Sequence, residues 1–288
     1  MSENKPDSRI TTVRRDGLEF EVYDAGPIDG EVVVLLHGFP ETSHCWRLVA
    51  PQLHRAGYRT LAMDQRGYSP GARPPRRRDY RVSELVADVL ALIDAAGKPA
   101  VHVVGHDWGA IVAWGLAQQH PDRLSSLTAV SVPHPAAFLA SLVRSAQGLK
   151  SWYMLAFQTP RLPELLARRP GGLIDKQLRA SGMTRDDVAR MRTDIVDAGA
   201  LTGALNWYRA LPFNAPGAMR TRVTVPTTLV WSDDDIALGR YGAEHTARWV
   251  DAPYRFVELT DVSHWIPTQA PDALVEAILD RVGGPATS

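Results

Sequence analysis

At 288 residues, with 45% apolar and 22% charged side chains, the chain can bury the core of one large α/β domain carrying an insertion, or of two small domains. Its 32 basic and 32 acidic side chains cancel, so no bulk field points to nucleic acid or to an anionic membrane. A single cysteine, Cys45, excludes an intramolecular disulfide and a cysteine-built zinc cage, and its unpaired thiol fits a reducing compartment.

The chain opens on Met1 to Ile10, a polar and charged stretch without the apolar run of a signal peptide. No window approaches the roughly 20 apolar residues needed to span a bilayer, so the cytoplasm is the expected location. Leu18–Tyr23 alternates like an antiparallel strand near a sheet edge. Val32–Leu36, Thr60–Met63, Val101–Val104 and Leu127–Val132 are short continuous apolar runs, the pattern of parallel strands buried on both faces. Between them, Val82–Ala96 carries apolar residues at helical spacing until Gly97 and Pro99 stop it, and Ala110–Gln119 reads as a second helix closed by His120 and Pro121.

After Pro133 the alternation breaks. Residues 134–221 show helical periodicity with Pro and Gly punctuation and no strand. Strand signals resume at Thr227–Trp231 and Tyr254–Leu259, and Pro271–Val282 reads as an amphipathic helix. The fold class predicted is α/β: a mostly parallel, doubly wound sheet built from residues 1–133 and 222–288, with 134–221 inserted as a helical cap. The insert holds 12 lysines and arginines against 6 aspartates and glutamates. It reads first as a solvated helical surface, and second as a face with a preference for membrane surfaces. Arg76, Arg77 and Arg78, beside Pro74 and Pro75, read as an exposed loop.

The sharpest feature is Gly105-His106-Asp107-Trp108-Gly109, where a buried strand meets a helix. Small residues two positions either side of Asp107 match a nucleophile elbow, a strained turn that pushes its central side chain out above the sheet. The backbone N–H that follows it, from Trp108, is placed to stabilise negative charge. Serine at an elbow suits esters; aspartate changes the chemistry. A carboxylate is already ionised and attacks saturated carbon without a base, giving an enzyme ester that a base must then help to hydrolyse. Epoxides and alkyl halides are the matching electrophiles. An aspartate at this junction also reads as a helix N-cap, and its partners decide between the two.

His37-Gly38-Phe39-Pro40 follows the first buried strand, where a second oxyanion donor is expected. Near the other end, Ser232-Asp233-Asp234-Asp235 closes a strand in acids, and Ser263-His264-Trp265 follows the next strand. A buried acid is needed to hold an imidazole in one tautomer and to stabilise its charged form.

On these motifs the chain resembles the soluble epoxide hydrolases of the α/β-hydrolase superfamily, from about Leu18 to Val282. The resemblance implies the α/β-hydrolase fold with a helical cap, Asp107 as nucleophile, His264 as base, and an oxyanion hole from the N–H groups of Phe39 and Trp108. Family spacing, a small residue followed three positions on by Asp, selects Asp235 over Asp233 and Asp234 as the acid. Trp152-Tyr153-Met154-Leu155-Ala156-Phe157-Gln158 and Leu205-Asn206-Trp207-Tyr208-Arg209 look like the family's two tyrosine motifs, implying Tyr153 and Tyr208 as the acids that polarise the epoxide oxygen. An opening epoxide leaves an alkoxide that needs a proton, which a phenol supplies.

Pro40, Trp108 and Trp265 are expected to line the pocket, His37 to hold the oxyanion loop, and Asp64 to Tyr68 to form a structural turn. The partners expected are a small lipophilic epoxide and water, with no nucleic acid, no stable membrane insertion, no metal and no cofactor; homodimerisation stays open. Three alternatives stand beside this reading. A haloalkane-type dehalogenase shares the aspartate elbow, with Trp108 binding halide, but has no use for two phenols. A non-catalytic binding member of the fold typically lacks the histidine or the nucleophile. A serine esterase has no serine to use here.

Overall fold

The computed structural model describes residues 8–283 except 216, 218 and 219. Its strands are β1 (Thr12–Arg15), β2 (Leu18–Ala25), β3 (Val32–Leu36), β4 (Arg59–Met63), β5 (Val101–His106), β6 (Leu124–Val130), β7 (Thr227–Ser232) and β8 (Tyr254–Leu259). They form one sheet in the order β1-β2-β4-β3-β5-β6-β7-β8. The β1–β2 and β2–β4 pairs are antiparallel and all the others parallel.

Strand β3 shows how the sequence builds two layers at once. Val32, Val34 and Leu36 enter one apolar cluster while Val33 and Leu35 enter the other, because successive strand side chains point to opposite faces. Helix α1 (Ala50–Arg55) brings Leu53 to the second cluster, whereas α2 (Val82–Ala95) and α3 (Trp108–Gln119) bring Leu85, Val89, Val112 and Leu116 to the first. Both faces are thus covered, which is why these strands read as unbroken apolar runs. Several strand ends shift by one to three residues from the sequence reading, and β1 is a strand it did not assign. β6 stops at Val130 because Ser131 takes a left-handed φ of 68°, and β1 has only Val13 buried in a run that ends in two arginines.

Between β6 and β7 run α4 (Pro135–Arg144), α5 (Gln147–Lys150), α6 (Trp152–Ala156), α7 (Leu162–Ala167), α8 (Leu173–Ala180), α9 (Arg185–Met191) with a π-helical turn at Arg192–Asp197, and α10 (Leu201–Arg209). Among the described residues of 134–221 no strand occurs. The segment is pinned to the sheet at several points. Trp207, fully buried, donates its indole N–H to Arg66 O at 2.7 Å, and Arg47 meets Asp187 of α9 at 2.8 Å.

Entry and exit of the segment meet at His134. Its Nδ1 accepts from Ala136 N at 3.2 Å while Nε2 lies 3.1 Å from Thr221 O, which also accepts from Gln118 Nε2 at 2.8 Å. After β7 the chain continues through α11 (Arg240–His245), α12 (Ile266–Gln269) and α13 (Pro271–Val282), and α13 closes the second apolar cluster with Leu274 and Ile278. Among the described residues no helix is long and apolar enough to cross a membrane.

Candidate active site

The elbow is a turn between β5 and α3, with Asp107 at φ 51° and ψ −120°. A non-glycine residue reaches positive φ only where its surroundings force it, and such sites store strain. The glycines on either side make the turn possible. A β-carbon on Gly105 would lie 2.3 Å from Gly109 O, and one on Gly109 would lie 2.1 Å from Leu36 O. Asp107 occupies the N-cap position of α3, yet its side chain makes no capping bond. The carboxylate is instead held from above: Phe39 N donates to Asp107 Oδ1 at 2.7 Å. Trp108 opens α3, where its N–H has no carbonyl of its own helix to bind.

His264 stands between two carboxylates. Its Nδ1 lies 2.7 Å from Asp235 Oδ2 and its Nε2 lies 3.5 Å from Asp107 Oδ2. Of the three neighbouring aspartates, Asp235 alone is buried; Asp233 and Asp234 are exposed. The remaining oxygen of Asp235 accepts from Ala237 N at 2.7 Å and Leu238 N at 2.8 Å, so the carboxylate is fully satisfied where it lies. The backbone of His264 is fixed too. Ser131 Oγ donates to its carbonyl at 3.2 Å, and His106 Nε2 lies 2.9 Å from the same oxygen.

This crowding of charge sets the protonation states. Burial opposes a charged imidazole, but the carboxylates of Asp235 and Asp107 outweigh it and raise His264 well above the ordinary histidine value. Burial likewise opposes ionisation of Asp107, yet the bond to and charge of His264, aided by the Phe39 N–H, hold its carboxyl below the usual range. With both groups free, they form an ion pair at neutral pH.

The two tyrosines converge from separate helices, Tyr153 from α6 and Tyr208 from α10, with ring centroids 6.0 Å apart and planes at 79°. Tyr208 also packs edge-on against Phe39 at 5.2 Å and Trp108 at 5.0 Å, which seats it over the elbow. Burial, and then the charge of Asp107, raise both phenols above their ordinary value, so both carry their protons at neutral pH. Phe157, from the turn after α6, touches Phe39, Tyr153 and Tyr208 at centroid distances of 5.4, 5.7 and 5.0 Å.

Trp265 packs perpendicular to His264 at 5.1 Å and donates its indole N–H to Ser181 Oγ at 3.0 Å, joining the histidine loop to the helical segment. Pro40 lines a separate cavity of about 20 Å³, together with Glu41, His44, Met183, Asp187 and Ile195; it has room for about one water. His37 is a brace: its Nε2 accepts from Gln65 N at 3.1 Å and its Nδ1 faces Gly38 O at 3.0 Å, consistent with one neutral tautomer. The following turn is tied down by Ser43 N on Asp64 at 2.7 Å and by a two-pronged pair of Arg66 with Asp88, both bonds 2.7 Å.

Two features escape the sequence reading. Glu41 Oε2 lies 3.2 Å from His106 Nδ1, on the ring edge opposite the Nε2 that meets His264 O. Arg209, next to Tyr208, is buried and donates to Phe157 O at 2.9 Å, to Thr159 O at 3.0 Å and to both oxygens of Glu164 at 2.7 and 3.0 Å. Gln158 Nε2 adds a bond to Tyr208 O at 2.8 Å. Only adjacency to the tyrosine motifs hinted at this clamp. Among the described residues no cluster of three or more His, Cys, Asp or Glu is arranged to hold a metal ion.

Residues 31–271 match the sequence profile of the α/β hydrolase fold. An α/β hydrolase superfamily protein of Bacillus subtilis, YfhM, is 36% identical over 93% of this chain and 96% of its own length. Epoxide hydrolase A of Mycobacterium tuberculosis is 31% identical over 94% of this chain and 96% of its own. Among solved structures, one described as a novel epoxide hydrolase from metagenomes of hot environments superposes with a TM-score of 0.83 at 32% identity, over 95% of this chain and 98% of that one. The chain therefore belongs to the α/β-hydrolase fold family, among relatives named epoxide hydrolases.

Proposed function

We propose that this chain is an epoxide hydrolase, converting a small lipophilic epoxide to a vicinal diol through an ester of Asp107. One observation carries the reading: a buried carboxylate paired with the His264–Asp235 couple lies beneath two protonated phenols. Asp107 Oδ1 is occupied by the Phe39 N–H, which leaves Oδ2 as the attacking atom. Oδ2 bonds to an epoxide carbon, the carbon–oxygen bond on that side breaks, and the ring oxygen takes a proton from Tyr153 or Tyr208.

Alkylation neutralises Asp107 and so removes one of the two charges holding the proton on His264. With its pKa lowered, the imidazole passes its proton back to the tyrosine ionised in the first step, and it stands neutral at the step that needs a base. Its Nε2 takes a proton from water, the hydroxyl adds to the ester carbon, and negative charge gathers on Oδ1, which is already in the oxyanion site. Collapse takes that proton from His264 onto the departing alkoxide and releases the diol, and the acid left on Asp107 returns its proton to His264, restoring the ion pair. The helical segment 134–221 is the cap that supplies the phenols and roofs the site, and a reducing interior such as the cytoplasm is the proposed setting.

The phenols separate this reading from dehalogenation, because halide departs without a proton. A Tyr153→Phe, Tyr208→Phe double variant should lose about 10²–10⁴-fold in epoxide turnover, with fold content unchanged by circular dichroism. Undiminished turnover would remove the phenols from the mechanism and with them the case for epoxides.

A further inference from the structure

Helix α6 has two faces with opposite characters. Tyr153 faces inward toward Tyr208, while Trp152 and Leu155 are 57% and 77% exposed. The same division continues on either side. Leu149 of α5 is exposed, and on α7 Glu164 turns in to Arg209 while Leu162, Leu165 and Leu166 face out at helical spacing. On the inner side, Arg209 bonds both the turn after α6 and the carboxylate of α7, which ties the two helices to one another. Most of the exposed large apolar side chains fall between residues 143 and 173, although that stretch is a small part of the chain. An apolar surface so concentrated marks an interaction site on an otherwise ordinary exterior.

Charge on the same stretch identifies the occupant. Arg144, Arg161, Arg168 and Arg169 are exposed, and among the described residues none pairs with a carboxylate. Glu164 is the one acidic residue from 143 to 173, and Arg209 already holds it. Net neutrality of the chain hides this local excess. A second copy docking through a twofold axis would set these arginines against themselves, since such an interface presents the same patch from both sides. A surface offering hydrocarbon and negative charge together meets both demands, and that is an anionic lipid bilayer.

We infer that the outer face of α5, α6 and α7 is a peripheral docking surface for anionic membranes. Apolar side chains enter the headgroup boundary and the flanking arginines contact phosphate groups. Tyr153 is on the inner side of the same helix, so docking brings the roof of the site to the phase in which lipophilic epoxides dissolve. This goes beyond the hydrolase reading, and its test involves no catalysis.

The test is flotation of the purified chain with vesicles of phosphatidylcholine alone or mixed with phosphatidylglycerol. The expected result is capture by the mixed vesicles, weakened by salt, and little capture by the zwitterionic ones. A Leu155→Glu, Leu165→Glu variant should lose at least about tenfold in bound fraction. An Arg168→Gln, Arg169→Gln variant should lose only the preference for anionic vesicles. Both variants should keep the parental far-ultraviolet circular dichroism spectrum and thermal midpoint, which reports that they are folded. Absent capture, equal capture by both vesicle types, or unchanged capture of the leucine variant would overturn the proposal. So would a concentration-dependent dimer in sedimentation, abolished by the leucine variant, without vesicle binding.

Discussion

At the scale of single residues, the site is a set of ionisation states imposed by position. Asp107 is held charged by His264 and by the Phe39 N–H, and His264 is held charged by carboxylates on two sides. On the proposed mechanism, His264 holds its proton until Asp107 has been esterified. An Asp107→Asn variant removes one of the two charges permanently, so the His264 pKa should fall. Titration of the imidazole by NMR measures this directly; an unchanged value would mean that Asp107 does not govern the protonation of the base. Much of this was legible in the sequence. Gly105 and Gly109 around Asp107, the histidine before Trp265 and the acid run at Asp233 to Asp235 are all local patterns. Asp235, which spacing selects among the three, is buried and lies 2.7 Å from His264.

At the scale of elements, separate helices must deliver two phenols to one point. Arg209 does this by bonding the backbone at Phe157 and Thr159 and both oxygens of Glu164, while its neighbour Tyr208 faces the site. The clamp was not legible because its partners lie 45 to 52 residues away, and nothing in a short motif encodes that contact. Glu41 beneath His106 was missed for the same reason, with 65 positions between them bridged by the parallel register of β3 and β5. Arg209→Leu leaves the part-buried Glu164 without its cation and unties Phe157 O and Thr159 O. The expected loss is about 1–3 kcal/mol of stability, read as a lowered midpoint in urea, accompanied by slower epoxide opening. A variant as stable and as active as the parent would show that the tyrosine helices find their positions unaided.

At the scale of the whole molecule, a helical segment leaves and rejoins a sheet, and one imidazole spans the two crossings. His134 is buried between Gln118, Thr221 and the stacked ring of Trp249, and burial lowers its pKa to about 4. The unfolded chain binds a proton near 6.5, so the fold takes up fewer protons between those values and its stability rises with pH there. The contribution is full above about pH 6.5 and disappears as pH falls toward 4, to a limit of about 3 kcal/mol. Thermal unfolding of the parent and a His134→Gln variant across this window should show a steeper loss in the parent; parallel curves would remove His134 from the junction's energetics. The insertion itself was legible as a change of period after Pro133, but not which side chains would close its neck, since Thr221 lies 87 positions from His134.

The central claim is the ester on Asp107. A His264→Gln variant keeps the nucleophile and the phenols but lacks the base that hydrolyses the intermediate. After incubation with an excess of epoxide, intact-mass spectrometry should find one substrate mass added per chain, and peptide mapping should locate it on Asp107. An unmodified chain that still forms diol, or an adduct on any other residue, would contradict the account.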